Sequence, residues 1–143
     1  MLAPASFRVL GVRVHAVQIP EVIETMERWI AARGPARYIA VTGMHGVSEA
    51  RKNPAFREVL GAADLVVPDG MPLVWIGKMR GHPLRRRVYG PELMLEFCSR
   101  TAGRGYRHYF YGAAPGVAAH LAETLRRRCP GLQVAGTFSP PFR

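Results

Sequence analysis

AADLVVPDGMPLVW, residues 62–75, is the stretch whose reading decides the fold. Leu65-Val66-Val67 is a short, unbroken apolar run of the kind that forms a buried strand. Pro68-Asp69-Gly70 ends it, and Met71 to Met79 reads as an apolar helix. Asp69, one of only two aspartates in the chain, thus stands at the carboxyl end of a strand just before a helix. Open α/β sheets place their ligands there. Gly70 relaxes the backbone, so the chain can pass close to a bound molecule. The competing reading is that Asp69 caps the following helix, as aspartate commonly does.

Working outward, strand and helix patterns alternate. The segment through about Val17 suggests a short strand pair or edge strand with basic positions facing solvent. Ile19 to Ala32 carries Ile19, Val22, Ile23, Met26, Trp29 and Ile30 at amphipathic helical spacing, and Gly34-Pro35 stops it. Arg37 to Thr42 reads as a buried strand. A helical stretch follows, interrupted at Asn53-Pro54, where proline starts a second helix. Beyond the loop Gly81-His82-Pro83, Gly90 to Ala102 is helical, with Leu93, Met94 and Phe97 on one face. His108 to Tyr111 is a strand, a glycine-rich turn leads into a helix ending near Arg128, and Leu132 to Thr137 is the last strand. The alternation predicts an α/β fold, a parallel sheet with helices on both faces. The expected organisation is one domain over 1–143: an N-terminal strand pair and helix (1–36), then an α/β core (37–143). Ser139 to Arg143 follows the last strand with no crossover helix, where an α/β domain would normally continue.

The 143 residues suffice for one cored domain, and 48% hydrophobic content is that of a globular chain. The longest apolar runs are far shorter than a membrane span, and the N-terminus lacks the layout of a signal peptide. Cys98 and Cys129 show neither metal-ligand spacing nor a disulfide framework, which points to a reducing cytoplasm. The formal charge is +10, carried almost wholly by arginine, with clusters at Arg85-Arg86-Arg87 and Arg126-Arg127-Arg128. Arginine suits phosphate. The partners this charge admits are a nucleotide diphosphate, an anionic membrane surface or nucleic acid. Nucleic acid is disfavoured, because aromatic residues do not interleave with the arginines and no reading helix is apparent. Arg126 to Arg128 occupy the last turns of a helix, where cations favour the dipole without any ligand.

Three loops should line one edge of the sheet: Thr42-Gly43-Met44-His45-Gly46, Pro68-Asp69-Gly70 and Gly112-Ala113-Ala114-Pro115-Gly116. The third puts Gly112 and Gly116, just after Tyr111, ahead of a helix N-terminus, where free amides favour an anion such as a pyrophosphate. It is neither a P-loop nor a full dinucleotide fingerprint, and a plain tight turn fits it equally well. His45 can bind a substrate hydroxyl or shuttle a proton, although a lone loop histidine more often does neither. The other histidines have no zinc-ligand spacing, and no serine sits on a nucleophile elbow. Asp64 and Asp69 flank a strand and do not pair to hold a magnesium–diphosphate. Arginine and helix N-termini must then neutralise any diphosphate leaving group, with Arg87 as the candidate. Arg85 and Arg86 are expected to face water or lipid headgroups.

Taken in order, VTGMHGVSEA, NPAFREVLGAADLVVPDGMPLVW, RRRVYGPELM and HYFYGAAPGVA resemble the WecG/TagA/CpsF family of glycosyltransferases (glycosyltransferase family 26), from about Tyr38 to the C-terminus. The resemblance implies a Rossmann-like domain that moves a sugar, N-acetylmannosamine, glucose or a related hexose, from a UDP-sugar donor to a lipid-pyrophosphate-linked sugar acceptor. It implies an inverting, metal-independent reaction without a cofactor, at the cytoplasmic face of the cell membrane, in teichoic acid, common antigen or exopolysaccharide synthesis. Asp69 matches the family's candidate base, Thr42 the threonine of its T-x-N motif near the sugar nucleotide, and Arg87 the arginine that holds the diphosphate.

Three departures modify this. Met44 and His45 occupy the region of the motif's asparagine, as in exopolysaccharide-type members. Glu92 replaces the usual aspartate after R-V-x-G. The family's later strand–helix units, with a G-x-P-x-Q-E segment and a membrane-engaging tail, have no counterpart in the sequence. The alternative expectation is therefore a non-catalytic nucleotide-binding or interaction module derived from the family by truncation. Apolar sheet surface left uncovered would favour a homo-oligomer.

Overall fold

Two short strands, β1 (Ser6–Val9) and β2 (Val12–His15), open the fold as an antiparallel hairpin in register Ser6 with His15 and Val9 with Val12. Alternation sends Phe7, Val9, Val12 and Val14 into the core and leaves Arg8 and Arg13 in solvent, as the sequence pattern predicts. The computed structural model describes residues 4–141, so residues 1–3 and the tail residues Phe142 and Arg143 lie outside it. The chain divides into two units, Met1–Leu93 and Met94–Arg143.

In the first unit, α1 (Ile19–Ala32) follows the hairpin with the predicted bounds. It ends at Arg33 in the left-handed conformation (φ 50°), ahead of Gly34-Pro35. β3 (Ile39–Thr42) and β4 (Leu65–Pro68) pair in parallel, Ile39 with Leu65 and Thr42 with Pro68. Their crossover is a helix pair, α2 (Met44–Lys52) and α3 (Pro54–Ala62). The break falls at Asn53, whose side chain accepts from the Phe56 amide and caps α3. α4 (Met71–Met79) leaves β4 directly. The core gathers Phe7, Val9, Val12 and Val14 with Val47 and Ala50 of α2, Leu60 of α3, Val66 of β4 and Leu73 and Val74 of α4.

β3 departs from the expected buried strand in two ways. Its ladder begins at Ile39, because the Tyr38 amide donates to Asp64 Oδ2 at 2.9 Å instead of to a neighbouring strand. Val41 is exposed, whereas every residue of β4 is buried. β4 has β3 on one side and β2 packed near it on the other, so it occupies the interior position.

α5 (Gly90–Thr101) runs across the division between the units. Leu93 and Phe97 are buried, but Met94 is exposed and does not share their face as the spacing suggested. In the second unit β5 (Arg107–Tyr111) and β6 (Gln133–Phe138) form another parallel pair, with α6 (Val117–Arg128) as crossover. Cys98, Phe110, Ala118, Ala122, Leu125, Cys129 and Leu132 form its core. Both cysteines are free and buried, and burial, with Cys129 close by, pushes the Cys98 thiol up to about 11. It is held as a neutral thiol, without the thiolate character a nucleophile needs. Arg126 to Arg128 sit exposed in the last turn of α6, the dipole-favoured place expected for them. Parallel ladders closed by helical crossovers make this a mixed α/β, Rossmann-like fold.

One buried contact has a pH signature. His15 Nδ1 accepts the Val66 backbone N–H at 3.0 Å, tying β2 to β4. Burial, and then the nearby Arg13 charge, lower its pKa from 6.5. Because the folded pKa is depressed, the unfolded chain takes up a proton first as pH falls. Stability is therefore complete above about pH 6.5 and declines as pH drops from there towards the folded value. Denaturant unfolding at about pH 8 and about pH 5.5 should show this loss. His15→Asn, which keeps an acceptor near Val66 but does not titrate, should reduce the dependence to the share of His108, whose pKa burial also lowers.

Candidate active site

The parallel register of β3 and β4 brings their carboxyl ends together, and a helix starts from each. The Asp69 amide continues the ladder by donating to the Thr42 carbonyl at 2.9 Å. Gly43 lies so close to this point that a Cβ there would sit 2.6 Å from the Asp69 carbonyl oxygen. That approach is available only without a side chain. Gly70 has φ 144° and ψ 145°, a region side chains rarely adopt, and this turns the chain from β4 into α4.

Gly70, not Asp69, is the N-cap of α4, and no side chain caps that helix. The capping explanation for Asp69 therefore fails. Among the described residues its half-buried carboxylate has no hydrogen bond or ion pair. The only other aspartate is fully occupied in structure: Asp64 accepts from the Tyr38 amide and pairs with Arg37 at 3.5 Å.

Two helix starts flank Asp69. The first turns of α2 and α4 begin beside it, and their leading amides have no acceptor within the helix. His45 lies exposed in the first turn of α2. Thr42 is buried, with its hydroxyl donating to the Gly43 carbonyl at 3.3 Å and packed against Gly46, where a Cβ would overlap it. Its place in the fold is at the joint between β3 and α2.

Arg87 reaches this region through a loop fixed at several points. The Val88 amide donates to the Pro68 carbonyl at 2.7 Å, next to Asp69. Leu84 and Val88 are buried on either side of the arginine run. Gln18, just before α1, holds the backbone between them. Its Oε1 accepts from the Arg85 and Arg86 amides at 3.0 and 2.9 Å, and its Nε2 donates to the Arg86 carbonyl at 2.7 Å. Arg86 pairs with Glu92 at 2.9 Å. The exposed Arg87 guanidinium lies over the Tyr89 ring at 4.3 Å. Gln18 carries no local sequence signal for this role, because it acts on amides 67 and 68 positions away.

In the first unit the chain at Thr42, His45, Asp69 and Gly70 thus gathers at the joined ends of β3 and β4, and the Arg87 loop is tied next to it through the Val88 amide. Tyr111, Gly112 and Gly116 form a separate group in the second. There Gly112 has φ 121°, and Gly116 (φ 85°) is the N-cap of α6. Ser139 Oγ already accepts one of that helix's leading amides, Ala118 N–H, at 3.3 Å. The Tyr111 ring is exposed and lies 5.8 Å from that of Phe138. Among the described residues no cluster of three or more His, Cys, Asp or Glu side chains can hold a metal ion.

The close approach at Gly43 makes a direct test of how Asp69 is held. Gly43→Ala has no forbidden φ to adopt, so its cost is steric, against backbone that cannot move aside. It should lower stability by about 1–3 kcal/mol in denaturant unfolding.

With this geometry in place, comparison with known proteins identifies the lineage. One relative is the N-acetylglucosaminyldiphosphoundecaprenol N-acetyl-beta-D-mannosaminyltransferase of Bacillus spizizenii, 38% identical over 88 residues, covering 62% of this chain and 34% of that protein. The protein of the same name from Bacillus subtilis is 22% identical over 85 residues, covering 59% of this chain and 33% of its own length. The matched part spans about a third of these curated relatives. The sequence also matches the Glycosyl transferase WecG/TagA/CpsF family over residues 7–143, nearly its whole length, and the chain belongs to that family.

Proposed function

We propose that this chain is the catalytic portion of an inverting glycosyltransferase that moves a sugar from a UDP-sugar to a saccharide carried on a polyprenyl pyrophosphate. The observation that carries this reading is the unpaired Asp69 carboxylate at the joined ends of β3 and β4, with the pinned Arg87 loop beside it. Family membership and the transferase names of the relatives support it. Those names favour N-acetylmannosamine among the candidate sugars.

In the proposed reaction the acceptor hydroxyl oxygen attacks the anomeric carbon of the donor. Its proton passes to the Asp69 carboxylate as the new C–O bond forms. The bond from the anomeric carbon to the diphosphate oxygen breaks, and UDP leaves with that electron pair. Attack opposite the leaving group inverts the anomeric configuration. Arg87 offers a fork of N–H donors to the leaving diphosphate, and the first amides of α2 and α4 add positive potential. With Asp64 committed to Arg37 and Tyr38, these groups take the charge-neutralising role. His45 is assigned to a sugar hydroxyl and Thr42 to setting the first turn of α2. Gly70 provides close approach. Tyr111, Gly112 and Gly116 are assigned to the nucleotide, on the strength of the glycine turn and the exposed ring.

The acceptor's lipid carrier requires work at a membrane surface, here the cytoplasmic face. Among the described residues no helix is long and apolar enough to cross a membrane, and the reading assigns this part of the protein a peripheral attachment.

Two substitutions test the assignment, with UDP release measured over a panel of UDP-sugars and a short-chain polyprenyl-pyrophosphate sugar as acceptor. Asp69→Asn should cut acceptor-dependent release by about 10²–10⁴-fold while changing donor affinity, read by calorimetry, by less than about threefold. Equal losses of affinity and rate would remove Asp69 from the role of base. Arg87→Lys keeps the charge but loses the planar fork and its stacking on Tyr89, so donor affinity should fall by about tenfold. Silence across the panel with intact UDP binding would instead favour a non-catalytic binding module.

A further inference from the structure

α4 is apolar on two opposite faces. Leu73, Val74 and Gly77 are buried, and a side chain at Gly77 would meet Leu84 and Phe7. Met71, Trp75 and Met79 follow one another at intervals of four on the outer face, with Trp75 56% and Met79 86% exposed. A helix that is apolar all round normally lies buried or in contact with lipid.

The neighbouring hairpin adds to the same surface. Its turn is Leu10-Gly11, with φ 50° and 81°, positive at both positions. Turns of this kind favour asparagine or glycine first, because a bulky side chain there is strained. Here the first position holds a leucine, and it is 47% exposed. Leu10, Val9, Met44, Ile76 and Met79 line one groove of about 410 Å³ with Arg80. The Arg80 guanidinium donates to the Arg8 carbonyl and fastens the end of α4 to the hairpin.

Charge selects the occupant. From Gly70 to Pro91 the chain carries Lys78, Arg80, Arg85, Arg86 and Arg87 and no acidic residue. Exposed apolar side chains, including a tryptophan, among cations of which Arg86 alone has an acidic partner, Glu92, complement an anionic bilayer, where the rings and aliphatic groups enter the headgroup boundary and the other cations meet lipid phosphate.

We propose that the outer face of α4 and the Leu10 turn form the surface by which this chain docks on anionic membrane. The inference rests on the transferase reading for its purpose: Met71 begins the stripe two residues after Asp69, so docking would place the carboxylate at the level of a lipid-borne acceptor.

The test is flotation of the full chain with vesicles of phosphatidylcholine alone or mixed with phosphatidylglycerol, without donor or acceptor. The chain should float with the anionic vesicles, less at high salt, and remain behind with the neutral ones. Leu10→Asn, Trp75→Ser and Met79→Ser combined should weaken this by about tenfold or more. Leu10→Asn alone should weaken it while leaving stability equal or higher, since asparagine suits the turn. That separates lipid contact from folding. Anionic-vesicle binding unchanged in the triple variant would overturn the proposal. So would failure of the native chain to float, including the case in which it self-associates through this face and the triple variant does not. The transferase reading is judged separately, on a short-chain acceptor in solution: transfer there should be the same in the triple variant, and its absence with every donor sinks that reading without touching the vesicle result.

Discussion

The constraint on which the rest of the first unit depends is the register of two four-residue strands. Thr42 opposite Pro68 sets where β3 and β4 end, and the Asp69 amide bonded to the Thr42 carbonyl carries the pairing one step further. A shift of one residue would exchange the two buried faces of β4 and take Val66 away from the cluster it shares with β1, β2 and α4. It would also separate the starts of α2 and α4, whose leading amides are useful to an anion only if they face the same point. The absent side chain at Gly43 belongs to this constraint, since the Asp69 carbonyl occupies the space a Cβ would need. Site geometry and fold stability are here the same set of contacts.

The arginine loop is held differently. Arg85 to Arg87 have no regular secondary structure, and three adjacent cations repel one another. They are fixed because Gln18 satisfies two amides and one carbonyl, Glu92 takes the Arg86 charge, and Leu84 and Val88 bury the flanks. Of the three guanidinium groups, Arg87 is stacked on an aromatic ring, which limits its rotamers while leaving its donors outward. A preorganised fork loses less entropy on meeting a diphosphate than a free side chain does.

Much of this was legible in sequence where the signal is local. The unbroken apolar run of β4, the spacing of α1, the Asn53-Pro54 break and the bounds of α4 all reflect periodicity or cap chemistry within a few residues. The motifs at Asp69 and Arg87 were legible as a family resemblance. What was not legible depends on contacts distant in sequence. The late start of β3, at Ile39, goes with the capture of the Tyr38 amide by Asp64. The exposure of Val41 follows from the outer position of its strand, which no pattern within β3 encodes. Gln18 and His15 each act on backbone amides about fifty or more positions away, and neither residue type announces that role. Thr42 shows the opposite limit. Its motif points to ligand, whereas its hydroxyl donates to the Gly43 carbonyl and packs against Gly46, contacts that no pattern around Thr42 announces.

α4 joins these threads, because its two apolar faces answer to different demands. The inner face needs Gly77 so that the helix can lie close to Phe7 and Leu84, which in turn anchors the start of the arginine loop. The outer face has no such packing partner among the described residues, yet it is not polar. Methionine and tryptophan at exposed positions cost solubility and contribute nothing to this core. The helix N-terminus is fixed by Gly70 at the site, and its rise of about 1.5 Å per residue carries the exposed stripe away from Asp69 over some 13 Å. A carboxylate at one end of a rigid rod, with apolar side chains along the rod and cations beside it, sets the depth of the site relative to whatever surface the stripe meets. For an acceptor whose lipid anchor stays in the membrane, that depth is as much a part of substrate recognition as any hydrogen bond to the sugar.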